Sequence, residues 1–237
     1  GDGLIYEDME KSDFIQQRLP AWRPVPTIDT VIIVFSSFAG IFMIFGIVLL
    51  ALSSKVKKVS KRYDDICKLN TNCTINITIE DDMNKPVMVY YQLKGFYQNS
   101  RRYLESKCKS QLEGKNKSDK SVENDCKPVS TNKEMGKNIS ITGEELIGNN
   151  TAIPCGLVAK TYFNDVFNDW EINGNSINID EKEIAFSKDR SLYDKEIDIS
   201  KQWIDLTNEH FLVWMRPNGL PNPIKLYGRI RQDLKKG

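Results

Sequence analysis

The chain has 237 residues, with 33 Lys and Arg against 32 Asp and Glu and 40% hydrophobic residues, enough for one large domain or two small ones. A formal charge of +1 excludes a generally basic nucleic-acid binder and an acidic solvating chain alike. A single histidine, His210, excludes a histidine-rich metal centre within one chain.

Residues 1–27 carry five acids and three bases, show no apolar periodicity, and end in a stretch with Pro20, Pro24 and Pro26. Proline fixes φ and removes a backbone donor, so this tail reads as extended. Trp22 stands where an amphipathic ring meets lipid headgroups. Residues 31–52 then run for 22 positions without a charge. At ~1.5 Å per residue such a helix is about 33 Å long, matching a hydrocarbon core of roughly 30 Å. Thr27 is placed to cap it and Asp29 falls in its first turn, facing the positive end of the helix dipole. The run is too long for a cleaved leader and has no polar face for a buried core helix. The expected organisation is a cytosolic tail over 1–27, a transmembrane helix over 28–52 and an exoplasmic domain over 53–237.

The flanking charges alone argue against that orientation. Arg18 and Arg23 precede the span, whereas Lys55, Lys57, Lys58, Lys61 and Arg62 follow it, and cations favour the cytoplasmic side. Yet every N-x-S/T sequon lies after the span, at Asn72, Asn76, Asn116, Asn138 and Asn149. All five cysteines (Cys67, Cys73, Cys108, Cys126, Cys155) also follow it, and an oxidising compartment would make two disulfides and leave one thiol over. Sequons and cysteines together put residues 53–237 on the exoplasmic side. Composition does not choose the pairing.

Beyond the span, residues 73–80 alternate β-branched and polar side chains as a strand, and 87–93 form a second strand candidate beside Pro86. Residues 96–109 are compatible with a helix closing near Gly114, and 113–150, rich in Lys, Asn, Ser, Asp and Gly, read as a long exposed loop. Further strands are predicted at 139–142, 176–179, 183–186 and 211–216. Short strands with turn signals between them point to an antiparallel sheet or sandwich.

Catalytic motifs are absent. No GxSxG, GxGxxG or phosphate-binding loop occurs, and no Asp-x-Asp. The pairs Asp64–Asp65 and Asp81–Asp82 read as solvated turns, and His210 has no Ser or Cys partner in a recognisable setting. Arg101, Arg102 and Tyr103 beside Phe96 and Tyr97 look like a basic-aromatic patch, but in an exoplasmic domain nucleic acid is no target. No metal and no cofactor is expected.

Several strings taken together carry a resemblance: 17–22 (QRLPAW), 73–78 (CTINIT), 90–103 (YYQLKGFYQNSRRY), 111–114 (QLEG), 153–156 (IPCG), 163–165 (FND), 208–216 (NEHFLVWMR), Leu220-Pro221 and 225–227 (KLY). In identity and order they resemble the CDC-fifty (ligand-effect-modulator) family, the non-catalytic accessory subunits of type IV P-type ATPases that flip phospholipids. The resemblance implies a membrane-anchored, mainly β protein: a transmembrane helix, then an antiparallel β-sandwich exoplasmic domain with short helices and long loops. It also implies closing strands and a second span beyond Gly237, so that 53–237 is incomplete at its C-terminal side. The implied partner is the ATPase catalytic subunit, in a heterodimer among membrane lipids. The implied compartments are the endoplasmic reticulum, Golgi, endosomal or plasma membrane. Cys126 and Cys155 match a family disulfide, Cys67 and Cys73 a more variable early cluster, and Cys108 is left as the odd cysteine. Asn76 matches a family glycosylation position best. Partner-binding positions fall on Arg18, Leu19, Pro20 and Trp22 in the tail, on Phe96, Tyr97, Arg101 and Arg102, and on Trp214 and Arg216. Where the family shows Gly-Ile-Ala followed by tryptophans, this chain has Glu183-Ile184-Ala185-Phe186. The rival readings from topology alone are a secretory-pathway type II enzyme acting on glycans and a receptor ectodomain.

Overall fold

The computed structural model describes residues 13–19, 25–115, 118–168, 170–193 and 198–237. The chain divides into two compact units, residues 1–58 and 59–237. The first is dominated by helix α1 (Ile28–Ser53), on which no side chain is buried. Thr27 caps it, its hydroxyl accepting from the Thr30 N–H at 3.3 Å, and Asp29 sits in the first turn. Ser37 turns its hydroxyl back onto the Ile33 carbonyl at 2.7 Å, which hides its polarity within the helix. Its 26 residues span about 39 Å. By length and composition α1 is a helix able to cross a membrane.

In the second unit, residues 73–80 form no strand. Ile79 exchanges hydrogen bonds with Gly237 (2.9 and 3.0 Å), and Met83 does so with Leu234 (2.8 and 2.9 Å). Strand β1 (Val87–Gln92) follows. The helix expected over 96–109 breaks into α2 (Arg101–Glu105) and α3 (Lys109–Leu112), because Ser106 leaves helical geometry at ψ 67° and turns its side chain to the Cys126 carbonyl. The supposed loop 113–150 holds α4 (Asp119–Cys126) and α5 (Asn132–Met135). α5 begins with a capping box: Thr131 accepts from the Glu134 N–H, and the Glu134 carboxylate accepts from the N–H groups of Ser130 (2.8 Å) and Thr131 (3.0 Å). Those backbone donors hold the Glu134 carboxyl down at about 2.

After α6 (Leu157–Lys160) come β2 (Glu171–Ile172), β3 (Asn175–Ser176) and β4 (Ile179–Asp180), then α7 (Ser187–Leu192), a 3-10 turn (Ile199–Lys201), α8 (Glu209–Met215) and β5 (Ile224–Ile230). Residues 183–186 are not a strand, since Glu183 takes φ 55°. Residues 211–216 are not one either. Asn208 caps α8 by accepting from His210 and Phe211 N–H (2.9 and 3.3 Å), and Phe211, Leu212, Trp214 and Met215 are buried on it.

The sheets are small and antiparallel. β5 lies between β1 and β4, and β2 and β3 make a separate hairpin. Val87 faces Ile230 and Tyr90 faces Leu226, with a register shift between Val89 and Tyr90. Gly228 pairs with Val89 beside that shift, where a Cβ would run into the Ile179 side chain, so the close approach of β4 to β5 favours glycine there. The main core gathers Tyr91, Tyr103, Leu112, Met135, Val158, Leu206, Phe211, Trp214 and Tyr227 around Cys126 and Cys155. A smaller cluster of Ile177, Ile179, Ile230 and Leu234 packs under the sheet.

Candidate functional site

Three segments meet at the Cys126–Cys155 disulfide, whose Cα atoms are 5.6 Å apart. Ser106 stands at the junction, donating its hydroxyl hydrogen to the Cys126 carbonyl and accepting from the Leu157 N–H, both at 2.9 Å. Gln111 donates to the Ala152 carbonyl (2.8 Å) and accepts from the Cys155 N–H (3.1 Å). Gly156, at φ 101°, packs so closely that a Cβ would strike the Ser106 carbonyl. The Trp203 indole donates to the Pro154 carbonyl at 2.7 Å. Every polar group named here is paired inside the fold, which is what a rigid, dehydrated junction requires. Cys67 and Cys73 form a second disulfide with Cα atoms 5.5 Å apart. Cys108 is 1% exposed, lies in neither disulfide and belongs to the same core cluster as Cys126 and Cys155.

Of the residues singled out for partner binding, the structure brings the 96–102 and 214–216 strings together and leaves the tail in the other unit. Phe96 packs edge-on to Tyr103 (centroids 5.6 Å apart) and tilted against Trp214 (5.8 Å). Trp214 is 1% exposed and donates its indole hydrogen to the Val158 carbonyl at 2.6 Å. Trp214 therefore lies inside the core, and Phe96 is half-buried beside it. Their neighbours point outward. Tyr97 is 61% exposed, and Arg101 and Arg102 are exposed at the start of α2, Arg101 paired with Glu105 at 2.8 Å.

Hydrogen bonds tie this segment to the chain after α8: Gly95 N–H to the Asn222 side chain (2.8 Å), Asn218 N–H to Gln98 (3.1 Å) and the Asn99 amide to the Gly219 carbonyl (3.3 Å). The Arg216 guanidinium lies 3.9 Å from the centre of the exposed Phe186 ring and 3.4 Å from Asp189. In the tail Arg18 and Leu19 are exposed, whereas Pro20 and Trp22 lie outside the described residues.

Sequence reasoning missed Lys225. It sits on β5 at 4% exposure, donating to the carbonyls of Val213 (3.3 Å) and Arg216 at the end of α8. Burial, and then the Arg216 charge, push its ammonium down to about 8. The signals were a lysine between the apolar Ile224 and Leu226 and its place in the KLY string. Asn72, Asn76, Asn138 and Asn149 are exposed, and Asn116 lies outside the described residues. Among the described residues, no three His, Cys, Asp or Glu side chains are grouped to hold a metal.

The profile of the LEM3 (ligand-effect modulator 3) family / CDC50 family matches residues 49–237. The chain belongs to the CDC50 family. It is similar to ALA-interacting subunit 3 of Arabidopsis thaliana (31% identity, covering 95% of this chain and 68% of the relative). It is also similar to cell cycle control protein 50A of Mus musculus (30%, 95% and 71%). A third relative is the phospholipid-transporting ATPase accessory subunit CRF1 of Saccharomyces cerevisiae (26%, 91% and 66%). The match runs through the disulfide junction, the aromatic floor and β5, so the geometry described above belongs to the part of this CDC50-family chain that the profile recognises.

Proposed function

We propose that this chain is the non-catalytic accessory subunit of a phospholipid-transporting P-type ATPase, required for the catalytic subunit's folding, exit from the endoplasmic reticulum and transport activity. The observation that carries the reading is membership of a family in which a yeast relative bears the name of such an accessory subunit. In this reading ATP hydrolysis belongs to the partner, and no residue here acts on a substrate. Residues 1–27 are the cytosolic tail, 28–52 the span and 53–237 the exoplasmic domain, in a membrane of the secretory or endosomal system or at the plasma membrane. The second span and closing strands that the resemblance implies belong to the same proposal, as does the sandwich. Support for a second layer comes from Met88, Tyr90 and Ile224, which stay exposed on one face of the β1–β5 pair.

The contact surface of this reading is Tyr97, Arg101, Arg102 and Arg216, with Arg18, Leu19, Pro20 and Trp22 in the tail. Tyrosine and arginine dominate binding energetics because each buries a large area while ordering few torsions per contact. Here the ring of Phe96 packed on Trp214 fixes the backbone beneath them, so less freedom is lost on binding. The cysteine pairs and the sequons at Asn72, Asn76, Asn116, Asn138 and Asn149 fit an oxidising, glycosylating lumen. The deciding experiment is mild-detergent purification of the full-length protein from its own membranes, with mass spectrometry of what accompanies it. A near-stoichiometric multi-span P-type ATPase is expected. Recovery of the chain alone, in a detergent that preserves other membrane complexes, would overturn the reading.

A further inference from the structure

Two sequons start four residues apart, Asn72-Cys73-Thr74 and Asn76-Ile77-Thr78, and the middle residue of the first is half of a disulfide. Both asparagines and both threonines are exposed, and neither sequon lies in a helix or strand. In residue type and exposure the two acceptors are alike, so the cystine is what separates them. Cys67 and Cys73 join at a sequence separation of 6, closing a small ring in which residues 68–72 are all exposed. The ring is ordered. Asn70 takes φ 58°, the Thr71 hydroxyl donates to the Lys68 carbonyl at 2.8 Å, and the Cys67 N–H donates to the Tyr63 carbonyl at 2.8 Å. Unlike Cys126 and Cys155, neither cysteine of the ring belongs to a core cluster.

The two modifications make opposite demands on Cys73. In glycan transfer the asparagine amide nitrogen bonds to C1 of a sugar carried on a lipid pyrophosphate; the C1–O bond breaks, the lipid pyrophosphate leaves, and the amide proton passes to a base. The hydroxyl two residues on has to meet that amide, as in an Asx turn, so the backbone of the middle residue must be free to turn. At Asn76 the middle residue is Ile77, outside any ring. At Asn72 it is Cys73, which the disulfide ties to Cys67, bringing a second stretch of chain against the acceptor. The reverse obstacle also holds: a glycan on Asn72 puts bulk beside a thiol that has to bring its Cα within 5.5 Å of that of Cys67. Ring closure passes two protons and two electrons from the cysteines to an oxidised protein disulfide, which leaves as a dithiol. Loop-closure entropy grows with length, so the ring at separation 6 closes more readily than the bridge at 29 and competes with transfer as soon as Cys73 is exposed to both.

We propose that the Cys67–Cys73 disulfide and a glycan on Asn72 exclude one another, and that closure of the ring leaves Asn72 bare and directs the glycan to Asn76. The inference rests on the exoplasmic reading of 53–237 and deepens it, by assigning which of two neighbouring acceptors is modified and what selects it. It does not depend on the identity of any partner.

The test is translation of the full-length chain with microsomes, then glycosidase treatment in water enriched in heavy oxygen, which turns each glycan-bearing asparagine into a labelled aspartate for mass spectrometry. The expected result is label at Asn76 and little at Asn72. Cys67→Ser, which leaves the first sequon intact, should raise the label at Asn72 several-fold, and dithiothreitol should do the same to the wild type while adding nothing to Cys67→Ser. The readout does not require a variant to fold, because occupancy is scored on every chain made. Asn76→Gln separates the ring from crowding by a neighbouring glycan: with both cysteines in place it should leave Asn72 unlabelled. Label at Asn72 on chains whose Cys67–Cys73 bond is formed overturns the exclusion. So does an Asn72 that stays bare in Cys67→Ser, or one that is filled by Asn76→Gln alone. Each of these failures, with label present at another sequon, leaves the exoplasmic reading standing. A chain labelled at none of its five sequons overturns that reading and the exclusion with it.

Discussion

The ammonium of Lys225 donates to the main-chain carbonyl of Arg216, so a buried strand lysine closes the C-terminal end of α8. The last carbonyls of a helix lack intrahelical donors, and a cation there also faces the negative end of the dipole. The arrangement is still costly, because burial pushes this group down to about 8 from its ordinary 10.5.

That shift sets a pH dependence. Below about 8 both folded and unfolded chains carry the proton, and the cost of the buried charge is fully present. Between about 8 and about 10 the unfolded chain still holds the proton that the folded chain has lost, so stability rises with pH. Higher still, the phenols of Tyr91 and Tyr193, pushed up by burial, reverse the trend, since the unfolded chain then loses protons first. Thermal unfolding in mild detergent should show a maximum near pH 9–10, and Lys225→Met should flatten the rise from pH 8. A Lys225→Met variant with the wild-type slope would remove the assignment.

Gly156 and the Cys126–Cys155 bridge guard one junction. Gly156→Ala places a methyl group against the Ser106 carbonyl at φ 101°, which should cost about 2–4 kcal/mol. Opening the disulfide, which closes a loop with a sequence separation of 29, should cost up to about 3.6 kcal/mol in the chain-entropy account. Since both changes loosen the contact of the 106 and 155–157 segments, their combination should cost less than the sum. Denaturant titration of the three variants checks this, and additivity within about 0.5 kcal/mol would separate the two features.

Much of this was legible in the chain, and the failures have physical reasons. α1 was plain because a 22-residue uncharged run has few alternatives. β1 was plain from its aromatic and β-branched residues. β5 was hidden: buried Lys225 and Gly228 interrupt its alternation, and only tertiary partners, the α8 carbonyls and Ile179, account for those two residues. In α8 the β-rich composition misled, although Phe211, Trp214 and Met215 already had helical spacing behind the capping Asn208. At the site, neighbouring residues part company: Phe96 turns in and Tyr97 turns out, Trp214 in and Arg216 out. A matched string marks the location of a surface without saying which of its side chains reach it.

Glu183 holds φ 55° with its side chain exposed, its N–H on the Glu209 carboxylate (2.9 Å) and its carbonyl accepting from Arg229 (2.8 Å). A left-handed residue costs about 1–2 kcal/mol unless it is glycine, offset by about 0.5–1 kcal/mol for glycine's looser unfolded chain. Glu183→Gly should therefore stabilise by about 0.5 kcal/mol, and Glu183→Val, branched at Cβ, should destabilise by more than about 1 kcal/mol. Melting of the pair gives the order, and a glycine variant less stable than the valine one would contradict the strain argument.

The tail is tested by replacing Leu19, Pro20 and Trp22 together with alanine. Prolines lower the ordering cost of docking, so a tail that binds should lose partner recovery when they and the flanking apolar residues go. Unchanged recovery would reduce the tail to a membrane anchor.

The surface at α2 and the end of α8 is separated from its floor by comparing two variants. Tyr97→Ala with Arg216→Ala removes two exposed groups; of the Arg216 partners, Phe186 is exposed and Asp189 is half-buried, so melting should move by the equivalent of about 1 kcal/mol or less. Trp214→Phe removes the indole donor from the Val158 carbonyl and should cost about 1–3 kcal/mol. If Tyr97 and Arg216 meet the catalytic subunit, their double variant loses recovery of the ATPase while keeping its stability. Trp214→Phe should lose recovery only at temperatures where the fold itself is lost. Co-purification over a temperature series distinguishes the two, and a double variant with wild-type recovery throughout would move the contact surface away from α2 and the end of α8.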